Sequence, residues 1–426
     1  MKHTLTFFVL FLVNFAEAQL MIEITQGSNN PFKLGIIAKS ESDKEQAATI
    51  NYIIQQDLVR TGDFTIINEA ESDAVKDAEL PFTLWKLMKI DFIAITELFK
   101  EEESGLRLEY RVFDVSKGKL IRESKIFGIP NQIRQLAHYA SDGIFEVITG
   151  IRGIAATKLL YVVERTENRE KFFQLMLADS DGANEQILLE SDQPIISPTW
   201  SRDSKWVAYV SFESGEAAVY IQEISSGKRE RVLERGTQIS APAFSPDGKY
   251  LSLTLYDDGN AEIYILRLKD KALTRITNHF AIDTESSWSS KGDKLLFTSS
   301  RAGGPQLYEL NLSKLRNNPE RLTFEGSYNA KGSYLPNDDG LIFVHRNDKG
   351  QFQIALQYAN ERFLRPLTDA KLDESPSVAP NGNMIVYAIT DGADSLLAGF
   401  SLSGAKFRYP IKNGKVREPA WSYYIR

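Results

Sequence analysis

The 426 residues are 42% hydrophobic and include no cysteine, which leaves ample material for two apolar cores and excludes both a disulfide framework and a thiolate metal site. With 50 basic residues against 57 acidic ones the net charge is -7, which argues against nucleic acid and against a polybasic membrane patch as partners.

Lys2 precedes an apolar run, Leu5 to Val13, and Ala16-Glu17-Ala18 offers a small-x-small cleavage site, so residues 1–18 are expected to be a secretory signal peptide cut after Ala18. The run is too short to cross a bilayer as a helix, and no later segment reaches the roughly 20 apolar residues that a span needs. A soluble, exported chain without direct membrane insertion is expected. In residues 19–30, Leu20, Ile22 and Ile24 alternate with Met21, Glu23 and Thr25, the period of a strand, and Gly27-Ser28-Asn29-Asn30 forms a flexible joint. Such a segment can lie against its own domain or add a strand to another protein's sheet edge.

Residues 31–155 alternate strands with helices. Leu34 to Ala38, Phe64 to Asn68, Phe92 to Leu98, Leu106 to Val115 and Leu120 to Phe127 read as strands. A first helix opens on Ser42-Asp43-Lys44-Glu45, a capping-box pattern with Ser42 and Glu45 as the reciprocal pair, buries Ala47, Ile50, Ile54 and Leu58, and ends before Gly62. A second, Gln132 to Thr149, buries Ile133, Leu136, Ala137, Ala140, Ile144 and Val147 and stops at Gly150. This alternation predicts an α/β domain with a mixed sheet.

From residue 156 to 426 a short pattern returns: Pro198-Thr199-Trp200-Ser201, Pro242-Ala243-Phe244-Ser245, Ser286-Ser287-Trp288-Ser289, Gly332-Ser333-Tyr334-Leu335, Pro376-Ser377-Val378-Ala379 and Pro419-Ala420-Trp421-Ser422. Its third positions are 44, 44, 46, 44 and 43 residues apart, the length of a four-stranded propeller blade. The second copy has the expected grammar: strand Ala241 to Phe244, turn Ser245-Pro246-Asp247-Gly248, then strands Tyr250 to Leu255, Ile263 to Leu268 and Ala272 to Thr277. The last copy arrives four residues before the end and cannot build a blade. Lys158 to Val163, Phe172 to Asp179 and Glu185 to Leu189, at the start of the array, lack an inner strand. An all-β, six-bladed propeller closed by its C-terminal strand therefore follows the α/β N-terminal domain, and closure removes the open edges of the array.

Arg134, Ala137-His138, Ser141-Asp142, Ile144, Glu146, Thr149-Gly150, Gly153 and Thr157 to Val162 resemble the helix and entry strand that join the two domains of the TolB family, the exported propeller proteins of the Tol-Pal system of Gram-negative bacteria. Asp373 to Gly382, Pro419 to Ser422, and Ile22 to Thr25 followed by Gly27 are similar to that family too. The chain departs from the family pattern at Lys33 to Lys39, at Ala155 and in the fourth blade. The resemblance implies a monomeric, periplasmic protein without cofactor or catalysis. It would bind the peptidoglycan-associated lipoprotein Pal through the propeller's channel mouth and the inner-membrane-anchored TolA through its mature N-terminal segment, serving outer-membrane integrity and constriction during cell division.

Propeller geometry itself places the residues just before each repeat at the channel mouth, where six loops converge. These are Ile195, Ser197, Gln238, Ser240, Thr284, Glu285, Asn329, Glu374, Ser375 and Glu418, a set that suits a partner with basic or hydrogen-bonding groups. On the family pattern, Gln238, Ala241, Thr284 and Glu285 lead as contacts for a Pal-like protein, with Ser197, Asn329 and Glu374 beside them. Leu20, Ile22, Glu23, Ile24 and Thr25 are the contacts for a TolA-like protein.

Enzyme readings are weaker. No G-x-S-x-G elbow occurs, and His138, Ser141 and Asp142 fall on one helix as surface neighbours with capping or interdomain roles. His279 and His345 lie in different blades, without zinc-ligand spacing. The alternative is a six-bladed hydrolase or lactonase with a channel-bound cation, which needs several acids on inner strands where Asp and Glu look sparse.

Overall fold

The computed structural model describes residues 21–24, 30–40, 43–67, 81–101, 105–257, 259–314, 318–369, 372–391, 394–409 and 414–425. The expected signal peptide, Leu20 and Thr25 lie outside them. Strand β1, Met21–Ile24, comes first, and the N-terminal domain follows as β2 (Phe32–Ser40), α1 (Lys44–Arg60), β3 (Phe64–Ile67), α2 (Phe82–Leu87), β4 (Phe92–Lys100), β5 (Leu106–Asp114), β6 (Lys119–Gly128) and α3 (Ile133–Thr149). Its sheet runs β3-β2-β4-β5-β6 and is mixed as expected: β2 lies parallel to β3 and β4, while β4, β5 and β6 are antiparallel.

Apolar residues recurring every three or four positions put α1 and α3 on one sheet face, where Ile50, Ile54, Leu58, Leu136, Ala140 and Ile144 pack on Leu34, Ala94 and Leu108. α3 approaches so closely that a Cβ at Gly143 would meet the Tyr110 hydroxyl at 1.9 Å. The cap of α1 falls one residue later than the sequence pattern indicates. Asp43, not Ser42, is the N-cap, and its carboxylate accepts the Gln46 N–H at 3.0 Å. The six-residue α2 covers the other face with Trp85 against Ile37, Ile93, Ile95 and Phe113; it is too short to show a helical period and escapes sequence reading.

The propeller has six blades of four strands. Blade one is β30-β7-β8-β9, built from β7 (Lys158–Glu167), β8 (Glu170–Asp179), β9 (Gln186–Ser191) and the C-terminal β30 (Lys415–Trp421). Closure by the last strand is thus as expected: Val416 pairs with Val163 and Trp421 with Leu159. Blades two to five use strands β10–β13 (195–234), β14–β17 (239–275), β18–β21 (283–321) and β22–β25 (329–366). Blade six holds β26 (Asp373–Val378), β27 (Met384–Asp391), β28 (Asp394–Ser401) and β29 (Ala405–Arg408), with β1 added outside β29 as a fifth strand. The third residues of the repeat wedge between blades. Trp200 and Trp288 donate their indole N–H groups to Ala420 O and Ala243 O on the preceding inner strand.

Candidate partner-docking surfaces

Each inner strand carries a β-bulge at the same place, just before the repeated motif. Its first residue is Ser197, Ala241, Glu285, Lys331, Ser375 or Glu418, all with φ between 50° and 56° and none of them glycine. The second is proline in four blades, where a residue lifted out of the ladder needs no N–H. In blade five it is Gly332, because a Cβ there would meet Leu307 Cδ1 at 2.7 Å, which explains that copy's departure from the pattern.

Six left-handed residues therefore ring the channel, and five of them are tied together. Lys331 donates its backbone N–H to Glu285 Oε2 at 3.1 Å and its ammonium to Ser375 Oγ at 3.0 Å. The same ammonium stands 4.0 Å from Glu418 Oε1, whose other oxygen accepts the Ser197 N–H. The inner strands are richer in acids than the sequence reading held: Asp283, Glu285, Asp373, Glu374 and Glu418 all lie on them. Lys331, however, supplies the cation at the centre, and Asp283 is paired with Arg301. Ala241 alone brings nothing beyond a Cβ to the ring, so the blade-three sector is its open side.

That sector continues outward into an apolar surface. Tyr256, Phe280 and Ile282 are 46%, 89% and 50% exposed, and the Phe280 ring packs on His279 with centroids 4.2 Å apart. The loop that carries them is held from below. Asn260 donates to His279 O and Ala281 O at 2.6 and 2.9 Å, and the wholly buried Glu262 accepts the His279 N–H at 2.7 Å. Gln238 is exposed beside Tyr256, whose N–H it accepts at 3.0 Å, and half-buried Thr284 meets Thr254 through their hydroxyls at 3.3 Å.

Gln238, Ala241, Thr284 and Glu285 are thus brought together on blades three and four, with Ser197 on the adjacent blade two and Glu374 half-buried on blade six. Asn329 is not among them. It is fully buried, and its amide is committed to Gln306 Oε1, Glu325 O and His345. The buried strand end wins over the mouth at this position. Phe280 and Lys331 were missed by sequence reasoning; an aromatic in a polar turn, and a lysine where the other repeats have small or acidic residues, were the available signals.

Ile22, Glu23 and Ile24 pair through their backbones with Phe407, Lys406 and Ala405 on the outer edge of blade six. The inner strands run from the mouth towards turns such as that of Asn381, which donates to Arg152 O of the segment leading from the α/β domain. The mouth therefore opens on the face away from that domain, and β1 lies on the rim. His138 and Ser141, expected as surface neighbours, are instead 3% and 1% exposed in the seam between the domains, because α3 packs directly on the propeller.

These features define a two-domain propeller protein: a small α/β domain seated on a ring that its own last strand closes. The TolB amino-terminal domain profile matches residues 20–121 and the TolB beta propeller domain profile matches residues 145–425. The chain belongs to the TolB family. It is 43% identical to the Tol-Pal system protein TolB of Xanthomonas campestris pv. campestris (strain B100) over 431 residues, covering 99% of this chain and 97% of that protein. A TolB of Xanthomonas oryzae pv. oryzae (strain PXO99A) is likewise 43% identical over the same share of both chains. The crystal structure of TolB from Acinetobacter baumannii superposes with a TM-score of 0.86 at 33% identity, over 95% of this chain and 100% of that one.

Proposed function

We propose that the protein is a non-enzymatic, periplasmic adaptor of the Tol-Pal system. The propeller mouth binds a Pal-like lipoprotein, and the segment around β1 binds a TolA-like protein once released from blade six, in support of outer-membrane integrity and constriction during division. The observation that carries this reading is the blade-three sector. An 89% exposed Phe280 lies on the loop between β17 and β18, where blade three hands over to blade four, and Ala241 of blade three is the one gap in a ring whose other five members are tied to one another. Exposed aromatics held on a rigid loop are the residues on which binding energy concentrates.

Titrating the soluble domain of a Pal-like lipoprotein into the full mature chain tests the reading. Phe280→Ala is expected to weaken binding about 10- to 100-fold. Ala241→Gln, which fills the gap without a β-branched side chain at a positive φ, is expected to weaken it similarly, and both variants should melt like the parent. Binding unchanged in both would exclude the blade-three sector. Hydrolysis of small esters or lactones by the purified chain would establish the enzymatic alternative in place of the adaptor.

The two sites are coupled in this reading. The packed and free states of β1 differ by a few kcal/mol, and a bound Pal-like partner favours the packed one. A Pal-saturated sample that binds the TolA-like protein with undiminished affinity removes the coupling.

A further inference from the structure

The seam between the two domains holds a cluster of charges drawn from both. α1 contributes Asp57 and Arg60, which are 4% and 1% exposed, and α3 contributes the buried His138 and Ser141. Asp57 Oδ2 accepts from Ser141 Oγ and faces His138 Nδ1, each at 2.7 Å. The other ring nitrogen makes no hydrogen bond and stands 3.9 Å from Oδ2 of both Asp179, the last residue of β8, and Asp181, in the turn that follows it in blade one. Arg134 pairs with both of these aspartates, and Lys158 with Asp179.

Arg60 crosses the seam to donate to Ser180 O and Ser180 Oγ at 2.7 and 3.0 Å, and Tyr409 donates to the same carbonyl. One turn on, Asp142 accepts the N–H groups of Ala155 and Ala156 at 2.6 and 3.1 Å, pinning the linker. Arg152 of that linker lies over the ring of Tyr424. A cavity of about 20 Å³ beside Asp57 and Asp142 has room for one water. Asp57, His138 and Asp181 converge to within 4.8 Å as metal ligands do. Nδ1 is already spent on Asp57, however, and Arg60, Arg134 and Lys158 supply the positive charge, so this is an ion-pair seam and not a metal centre.

The seam reaches β1. Beyond Arg60, Asp63 accepts from Ser403 Oγ at 2.6 Å, and a Cβ at Gly62 would meet Ser401 Oγ and Ala405 N at 2.9 and 3.1 Å. Ala405 is the residue that pairs with Ile24 of β1.

Three groups here are held above their ordinary pKa. Burial works against a charged His138, but Asp57, Asp181 and Asp179 outweigh it and raise the imidazole. Burial pushes the Asp142 carboxyl up to about 7 against the pull of its two N–H donors, and raises Asp63 against hydrogen bonds from Ser403 and Thr61. A raised group supports the docked state fully below its undocked pKa and withdraws that support as pH rises through the raised value. All three therefore favour docking at lower pH. Asp181 is lowered and acts in the opposite sense, but only in the acidic carboxylate range.

We propose that this seam is a proton-operated clasp. With its protons bound it holds the α/β domain, and through Asp63 the docked β1, on blades six and one; as they leave, both loosen together. The inference stands apart from the identity of any partner.

The chain has no cysteine, so labels at Lys44→Cys on α1 and Lys228→Cys on blade two, both exposed positions, report the separation of the domains in the full mature chain. One narrow separation is expected at pH 5.5. A second, longer one should gain population at least about tenfold between pH 6 and 8, because Asp142, at about 7 when docked, drives a tenfold change per pH unit below that value and little above it. Asp142→Asn, the isosteric neutral form, should shift that transition to higher pH on its own. Asp142→Asn with His138→Gln should leave less than about a threefold change.

Amide exchange of Met21 to Ile24 should rise with the second separation. A parent distribution that does not move with pH, or a transition that Asp142→Asn leaves in place, overturns the clasp. Strand amides that stay protected while the domains part overturn its link to β1.

Discussion

A chain ending at Gly414 is expected to lose cooperative folding of the ring. It lacks β30, and with it fully buried Val416 and nearly buried Trp421, the indole bond to Thr157 Oγ1 at 2.7 Å, and the Ser422 N–H to Lys158 O bond at 2.9 Å. The inner edge of β7 is then left open beside blade six. Trp421→Ala alone should cost about 3–5 kcal/mol, the usual penalty for emptying a buried aromatic site. Loss of the whole strand should consume most of a domain's stability of about 5–15 kcal/mol. Calorimetry of the truncated chain should show no single sharp transition, and a melt as cooperative as that of the intact protein would contradict closure as the source of the ring's stability.

Arg60→Leu is expected to be nearly as damaging, and more local. The guanidinium is buried, lies 3.5 Å from Asp57, and makes two bonds to Ser180 across the seam. Removing it leaves a buried carboxylate short of its counter-charge, a change that costs about 3–5 kcal/mol. Denaturant unfolding followed by separate probes in the two domains should then resolve two transitions, with the propeller's close to its original midpoint. A shift below about 1 kcal/mol would mean that the seam does not depend on Arg60.

The fold was legible because its signals are periodic. The spacing of the Trp200, Phe244 and Trp288 positions counts blades, and an orphan inner strand at Pro419 to Ser422 can pair only with Lys158 to Val163, as β30 and β7 do. Apolar spacing likewise found α1 and α3, whereas α2, less than two turns long, has no period to detect. The candidate docking surface was legible only in part. Ala241 and Thr284 lie at the inner-strand bulges by the channel mouth, as their position in the repeat indicates, but Asn329, at a similar position, is consumed by Gln306 and His345. No single-chain pattern distinguishes a mouth residue from a buried one when both sit at strand ends. The reach of Lys331 across the channel and the convergence of Asp57 with Asp181 join residues far apart in sequence, and only folding brings them together.

β1 belongs in sequence to one domain and in pairing to the other, and among the described residues it is held over four rungs, Met21 to Ile24. Tension applied across it at Met21 loads the rung with Arg408 first and then each next rung in turn, so the ladder peels instead of shearing. The ring's own seam between β30 and β7 lies in a different blade and bears none of that load. A mechanical tug on the N-terminus can thus strip the strand from the rim at low force while the toroid stays whole, and the strand can be laid back afterwards without refolding anything else.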